Sequence, residues 1–392
     1  MSGPETPTLG ILPIGALGVA FFHHLTADES QSKEKVVFLA RENGAGRERW
    51  GGDSTVAIET PAGRRDLSLG GRFEGSLQAA AANGRLPEIV LVCTNPDQLF
   101  DVISDYVAVV EHEHRAGRLQ AGNSRLPLLI LCSNGIYFQR IRRSFIELLE
   151  ESTLLGRLPD LWPDLMPSII GRLMRGVTIQ TGLRRGAGSS AVHLPGPSGR
   201  TVLAGGDPAA RAAATLRLAH CGGWYEDARE VLPTRVEFNK ALVNLAINVF
   251  GQLAAIDHAG RFRVLTVGEI GSPDRHARIL ELVRAVLLVG QSVGVYRRDE
   301  SADALFRETL EAMVPAAGHV PSSLQWLQQQ ISSGTLGSGL TPTEQWLLRP
   351  LQHYARSLGD AGAITYFEGL EKELVAAMAR AMAAPPGSRA PG

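Results

Sequence analysis

The sequence predicts an α/β fold in which a Rossmann-type, doubly wound N-terminal domain is followed by an all-α C-terminal domain. Three observations carry this reading. Short continuous apolar runs alternate with helical patterns early in the chain, a glycine-bearing turn sits at the first strand–helix junction, and helical periods dominate after Pro233. Strands buried on both faces of a parallel sheet show such uninterrupted runs. Their regular alternation with helices implies the crossover connections of a doubly wound sheet.

After a Pro-rich start, residues 8–12 read as a strand that enters Pro13-Ile14-Gly15-Ala16-Leu17-Gly18 and then a helix through Leu25. A second apolar strand, 36–40, ends at Arg41. The Gly- and Arg-rich stretch 44–75 contains 55–59, which alternates as an antiparallel strand would. Residues 89–93 and 128–132 are the next continuous apolar runs, each followed by a helical pattern. Between 169 and 204 the segments 177–181, 191–194 and 201–203 read as short strands that complete the first domain. Helices are then expected over 236–256, 276–293, 302–313, 323–332, 343–358 and 364–384. The expected domains are 1–230 for nucleotide binding and 231–384 for substrate and catalysis, with 385–392 a disordered Pro/Gly-rich tail.

Composition narrows the classes of function. The 392 residues hold 39 Lys plus Arg against 40 Asp plus Glu, a net charge of -1, so no basic footprint for nucleic acid is visible. The three cysteines, Cys93, Cys132 and Cys221, are widely spaced in sequence and form no CxxC pair, which argues against a disulfide or zinc scaffold. The apolar stretch 9–25 follows Glu5 rather than a basic residue and is broken by Pro13, Gly15, Gly18, His23 and His24, unlike a signal h-region. No run reaches the ~18–20 apolar residues of a membrane span. The expectation is a cytoplasmic protein with a small-molecule substrate, no nucleic-acid or membrane partner, and a homodimer left open.

A dinucleotide site needs a tight strand-to-helix turn, close backbone approach to the pyrophosphate and a helix N-terminus with free N–H groups. Gly15 and Gly18 suit those needs, although Pro13 stands where the GxGxxG pattern has its first glycine. At the end of the second strand an acidic residue would bind the ribose of NAD, whereas an arginine receives the 2′-phosphate of NADP. Arg41 favours NADP. The alternative, that it is one more surface arginine, stays open.

The segment 236–250 carries the clearest chemistry. At ~100° per residue, Lys240, Asn244 and Asn248 share one face of an otherwise apolar helix. Two readings stand: amides facing water on a surface helix, or a polar row lining a cleft. In the second, a partly desolvated ammonium donates a proton near neutral pH.

In order along the chain, the GALG turn at 15–18, Leu-Ala-Arg ending at Arg41, Ser-Asn-Gly at 133–135, the Lys-x3-Asn-x3-Asn helix, Ser-Ser-Leu-Gln at 322–325 and Pro-Thr-Glu at 342–344 together resemble the ketopantoate reductase (2-dehydropantoate 2-reductase) family. The resemblance spans roughly Leu9 to Met378. It implies NADPH-dependent reduction of ketopantoate to pantoate, a step of pantothenate biosynthesis, in the cleft between the domains. Lys240 would then be the general acid and Glu344 would assist its proton network. Asn244, Asn248 and Ser323 would contact substrate, Asn134 would lie near the nicotinamide and the substrate, and Gly15, Ala16, Leu17, Gly18 and Arg41 would hold the cofactor. No metal is implied.

Departures from the family pattern keep alternatives open. Pro13 replaces a glycine, Asn95 stands where a lysine is frequent, Val249 follows Asn248 where proline is frequent, and Asp257-His258 occupy the place of a second asparagine. Extra sequence lies within 138–168 and 328–341. A related reductase or dehydrogenase of another 2-keto or 2-hydroxy acid, and a catalytically idle nucleotide-binding protein, are the two alternatives.

Other features have simpler readings. His112-Glu113-His114 reads as a solvated helix face, His23-His24 as packing or surface residues, 186–190 as a turn, and Arg140, Arg142 and Arg143 as an exposed helix. Only four residues of the chain are lysine: Lys33, Lys35, Lys240 and Lys372. Lys33, Lys35 and Lys372 have acidic neighbours and read as solvated, whereas Lys240 sits in an apolar helix. Arginine cannot release a proton at neutral pH, so chemistry gives a reason for lysine at that one place.

Overall fold

The computed structural model describes residues 8–27, 35–44, 49–51, 54–120, 125–186, 188–337 and 339–384. The expected tail 385–392 and Lys33 lie outside the described residues. The chain divides into two compact units, Met1–Ser133 with Phe138–Pro233, and Asn134–Tyr137 with Thr234–Gly392.

The first unit is built on an eight-stranded sheet. Its strands are β1 (Leu9–Leu12), β2 (Val36–Ala40), β5 (Phe73–Ser76), β6 (Ile89–Val92), β7 (Leu128–Leu131), β8 (Leu173–Thr178), β11 (Arg200–Ala204) and β12 (Trp224–Asp227). They lie in the order β12-β11-β8-β7-β6-β1-β2-β5. From β5 to β8 every pairing is parallel, and β11 returns antiparallel to β8. The strand order reverses between β1 and β6, so the loops leaving their carboxyl ends flank the place where doubly wound sheets bind ligands. β1, β2, β6 and β7 are buried at every position, as their apolar runs require.

A second sheet joins β3 (Thr55–Thr60), β4 (Gly63–Ser68), β9 (Gly182–Arg185) and β10 (Val192–Pro195) in the order β4-β3-β10-β9. It packs on α1 (Ala16–Leu25): a Cβ on Gly182 would lie 2.3 Å from the Ala16 carbonyl oxygen. Short strands were expected in both of these regions, but the second sheet as a separate layer is a finding. The remaining helices of this unit are α2 (Leu77–Ala82), α3 (Leu99–Arg115), α4 (Phe138–Leu154), α5 (Met166–Ile170) and α6 (Pro208–His220). Stacking of Phe22 on Phe38, with ring centroids 4.7 Å apart, ties α1 to β2 in a core that includes Leu9, Ile11, Val19 and Ile58.

One reading needs correction here. Glu113 on α3 is not part of a solvated face: it is buried and takes a bidentate ion pair from Arg118, whose Nε and Nη2 lie 2.8 and 2.6 Å away. Cys93 and Cys132, distant in sequence, follow directly on the paired residues Val92 and Leu131 of neighbouring strands. No disulfide forms among the described residues, which include all three cysteines.

The second unit is helical. It comprises α7 (Pro233–Asn244), a π-helical turn (Leu245–Val249), α8 (Phe250–Ala255), α9 (Val267–Ile270), α10 (His276–Ser292), α11 (Ala302–Met313), α12 (Ser322–Ser333), α13 (Pro342–Leu358) and α14 (Ala361–Ala383). The single helix expected over 236–256 is therefore interrupted at its middle. Phe238, Leu242, Leu245 and Val249 bury one side of it in a core with Ile279, Val283, Leu351, Phe367 and Leu374. Among the described residues, no helix is long and apolar enough to cross a membrane.

Candidate active site

The turn after β1 has the features of a phosphate cradle. Gly15 occupies the N-cap of α1 in an extended conformation, and no side chain caps the helix, so first-turn N–H groups of Ala16, Leu17 and Gly18 lack a side-chain acceptor there. Among the described residues nothing lies within 4 Å of where a Cβ on Gly15 would be, which leaves room for an anion against the main chain. Gly18 has the opposite constraint, since its Cβ would lie 2.3 Å from the Pro13 carbonyl oxygen. The Leu12–Pro13 peptide is cis. Helix N-termini bind phosphates through such free N–H groups and the helix dipole, so the residues present fit a dinucleotide.

Arg41 lies just beyond β2 and donates through Nη1 to Asp101 Oδ2 at 3.0 Å, an exposed pair. The next residue, Glu42, is an acid, and its Oε2 accepts a hydrogen bond from Ser76 Oγ. Both charges at this strand end thus already have partners. Asn95 is exposed and precedes the short turn that follows β6.

The polar row lies in the second unit. Lys240 is half-buried and Asn244 is 7% exposed, on successive turns of α7. The π-helical turn follows, and because it winds less per residue than an α-helix it limits the angular drift of residues spaced by four. Asn248 lies in that turn, where its Oδ1 accepts from Ser323 Oγ of α12 at 3.0 Å. One step further along the same spacing stands Gln252, 0% exposed, whose Nε2 donates to Glu344 Oε1 at 3.0 Å. Sequence reasoning missed Gln252, although it continues the 240, 244, 248 series.

Glu344 lies in the first turn of α13 and is 1% exposed. Burial pushes its carboxyl above the usual carboxylate range, and hydrogen bonds from the backbone of Glu344 and Thr341 and from Gln252 only partly oppose this. Among the described residues, three buried atoms in this unit have no hydrogen-bond partner: Asn244 Nδ2, Gln252 Oε1 and Glu344 Oε2. Leaving a buried polar atom unpaired costs about 1–3 kcal/mol.

Asn134 is exposed, and its segment Asn134–Tyr137 belongs by contacts to the helical unit. Two hydrogen bonds fix the segment there. The Ile136 N–H donates to the Trp346 carbonyl oxygen at 3.0 Å, and the Tyr137 N–H donates to Glu237 Oε1 at 3.3 Å. Trp346 follows Glu344 by two residues and Glu237 precedes Lys240 by three. Gly135, at φ +127°, permits this approach, because a Cβ would lie 2.9 Å from the Trp346 side chain. The second unit therefore draws the Asn134 segment to the two helices that carry Lys240 and Glu344. Gly15, Ala16, Leu17, Gly18 and Arg41 belong to the first unit.

No protein-family model matches the chain, and no curated protein matches its sequence. Solved structures do share its fold. One is D-mandelate dehydrogenase in a ternary structure with NADH and anilino(oxo)acetate, at a TM-score of 0.63 and 14% identity, covering 95% of this chain and 98% of that one. Another is the 2-dehydropantoate 2-reductase of Methylococcus capsulatus, at a TM-score of 0.58 and 14% identity, covering 95% and 97%. A third is the dimeric ketopantoate reductase of Staphylococcus aureus, at 0.55 and 14%, covering 95% and 99%. Each likeness is one of fold across nearly the whole chain.

Proposed function

We propose that the protein reduces a small 2-keto acid with NADPH, with 2-dehydropantoate (ketopantoate) as the first candidate. The nucleotide is assigned to the turn Gly15–Gly18 with Arg41, and proton chemistry to Lys240 and Glu344. When bound, the reduced nicotinamide supplies a hydride to the keto carbon. The Lys240 ammonium polarises the carbonyl and donates the proton that converts the forming alkoxide to a hydroxyl. Glu344, whose burial favours the protonated carboxyl, assists the proton network at that oxygen, and Gln252 donates to its Oε1. Asn244, Asn248, Ser323 and Asn134 orient the keto acid. Preorganised donors in a site with little water are what a developing alkoxide needs.

The observation that carries this reading is the set of buried atoms beside the lysine helix, Asn244 Nδ2, Gln252 Oε1 and Glu344 Oε2, that have no hydrogen-bond partner among the described residues. A keto acid becoming a hydroxy acid accepts hydrogen bonds and, as product, also donates one. An idle nucleotide-binding protein would have no use for such a set.

A second reading has a specific support: D-mandelate dehydrogenase, which shares this fold, holds anilino(oxo)acetate, a ligand with an aromatic ring. A larger 2-keto acid would then be the substrate, with the extra sequence in 138–168 and 328–341 shaping its pocket. Both readings place the protein in the cytoplasm, where reduced nucleotide is available. A homodimer is proposed on the likeness to the dimeric Staphylococcus aureus enzyme.

The test is a panel assay in which NADPH or NADH oxidation is followed by absorbance with ketopantoate, pyruvate and phenylglyoxylate. Oxidation of NADPH by ketopantoate supports the first reading, and oxidation only by the aromatic acid supports the second. No oxidation with any member, together with no binding of either nucleotide, overturns both.

A further inference from the structure

Arg175 lies on β8, opposite Leu131 of β7, and is 1% exposed. A buried guanidinium is costly unless its donors are met. Here main-chain carbonyls meet them: Nη1 donates to Leu131 at 2.5 Å and Gly176 at 2.8 Å, and Nη2 donates to Ser133 at 2.7 Å. Leu131 is the last residue of β7, so the sheet ladder has no further register there to hold the carbonyls that follow. Arg175 takes over from the ladder and fixes two carbonyls of the chain as it leaves the sheet. Ser133 is fixed a second time through its hydroxyl, which donates to the Thr94 carbonyl oxygen. The next residue is Asn134.

On the far side of Asn134 the second anchor is Glu237, also 1% exposed, which accepts the Tyr137 N–H at 3.3 Å. We propose that Arg175 and Glu237 are positioning residues for Asn134, two buried side chains that fix the main chain before and after it. The proposal rests on the reading of Asn134 as a group that orients nucleotide and keto acid. Neither side chain needs to touch a ligand. Each uses hydrogen bonds to main-chain atoms, charge-assisted for Arg175, so the main chain at Asn134 is held by a frame that does not depend on the Asn134 side chain. Misplacing an orienting group by about 1 Å can cost ~10²-fold in rate.

The test is a double-mutant cycle on kcat/KM for the keto acid. Arg175→Lys keeps the charge but cannot reach several carbonyls in a plane, and it should lower kcat/KM by about 10²-fold. In an Asn134→Ala background the same change should cost less than about threefold, because residues acting through one group are non-additive. Glu237→Ala should lower kcat/KM by about tenfold, again only when Asn134 is present, and Glu237→Gln, which keeps an acceptor oxygen, should recover most of that loss. If Arg175→Lys does not fold, the Glu237 variants decide alone. Losses that multiply in full in the Asn134→Ala background, or a Gln variant no better than Ala, would overturn the positioning role. Wild-type protein inactive with every keto acid would overturn the functional reading beneath it, and the positioning role with it.

Discussion

The two halves of the candidate machinery are made of different material. At the turn after β1 the functional groups are main-chain N–H donors, and side chains matter chiefly by being absent, at Gly15 for space and at Gly18 for helix packing. In the second unit they are side chains throughout: Lys240, Asn244, Asn248, Gln252 and Glu344, several of them buried with unpaired atoms. In the proposed function the contrast separates binding from chemistry. A nucleotide pyrophosphate can be held by any chain that leaves its backbone bare, whereas moving a proton requires groups whose pKa surroundings can change. Substitutions in the first unit should therefore act on nucleotide affinity, and those in the second on turnover.

The largest expected effect is at Lys240. Lys240→Ala should reduce turnover by ~10²–10⁴-fold, as expected for loss of a general acid, while NADPH affinity measured by fluorescence stays within about threefold. A parallel loss of affinity would break the division between the halves. Arg41→Ala should weaken NADPH by about 10–100-fold, the worth of charge-assisted hydrogen bonds to a phosphate, with NADH little changed. Asp101→Asn should sharpen the same point in the other direction, tightening NADPH by releasing Arg41 from its 3.0 Å pair. Equal effects on both nucleotides would remove Arg41 from the 2′-phosphate site.

Gly18→Ala places a Cβ against the Pro13 carbonyl oxygen, a main-chain atom that cannot swing aside. A stability loss of about 1–3 kcal/mol is expected in chemical denaturation, with weaker binding of both nucleotides. The smallest effect concerns pH. Burial raises the folded-state pKa of Glu344 above its unfolded value, so its protonated form stabilises the fold below the ordinary carboxylate range. That stability is lost as pH rises through the raised value. Glu344→Gln cannot ionise and should therefore gain thermal stability relative to wild type as pH rises from the acid side of that range to neutrality. A stability difference that does not change with pH would show that Glu344 titrates normally.

Legibility in the sequence followed the same division between main chain and side chain. β1, β2, β6 and β7 were readable because strands buried on both faces must be apolar throughout. β4, with the sequence Gly-Arg-Arg-Asp-Leu-Ser, and β12, with Trp-Tyr-Glu-Asp, carry no such signal, since their pairing partners rather than burial define them. Lys240, Asn244 and Asn248 stood out by spacing, and Gln252 would have followed had the series been carried one step further. Glu113 was misread because Arg118 reaches it only after the chain turns at Gly117, at φ +67°. Arg175 and Glu237 were invisible for a similar reason: the partners through which they act here include main-chain atoms at residues 131, 133, 137 and 176, which leave no trace in side-chain pattern.

The central claim is that nucleotide bound at a bare main-chain turn and a lysine-centred polar row together reduce a keto carbon. NADPH carrying deuterium at the transferable C4 position, incubated with the protein and a 2-keto acid that it reduces, tests this in one mass spectrum of the product. The expected result is a 2-hydroxy acid one mass unit heavier, with the label on carbon 2 and none on the exchangeable hydroxyl. Product formed without deuterium at that carbon, or no product from any 2-keto acid, would contradict the account.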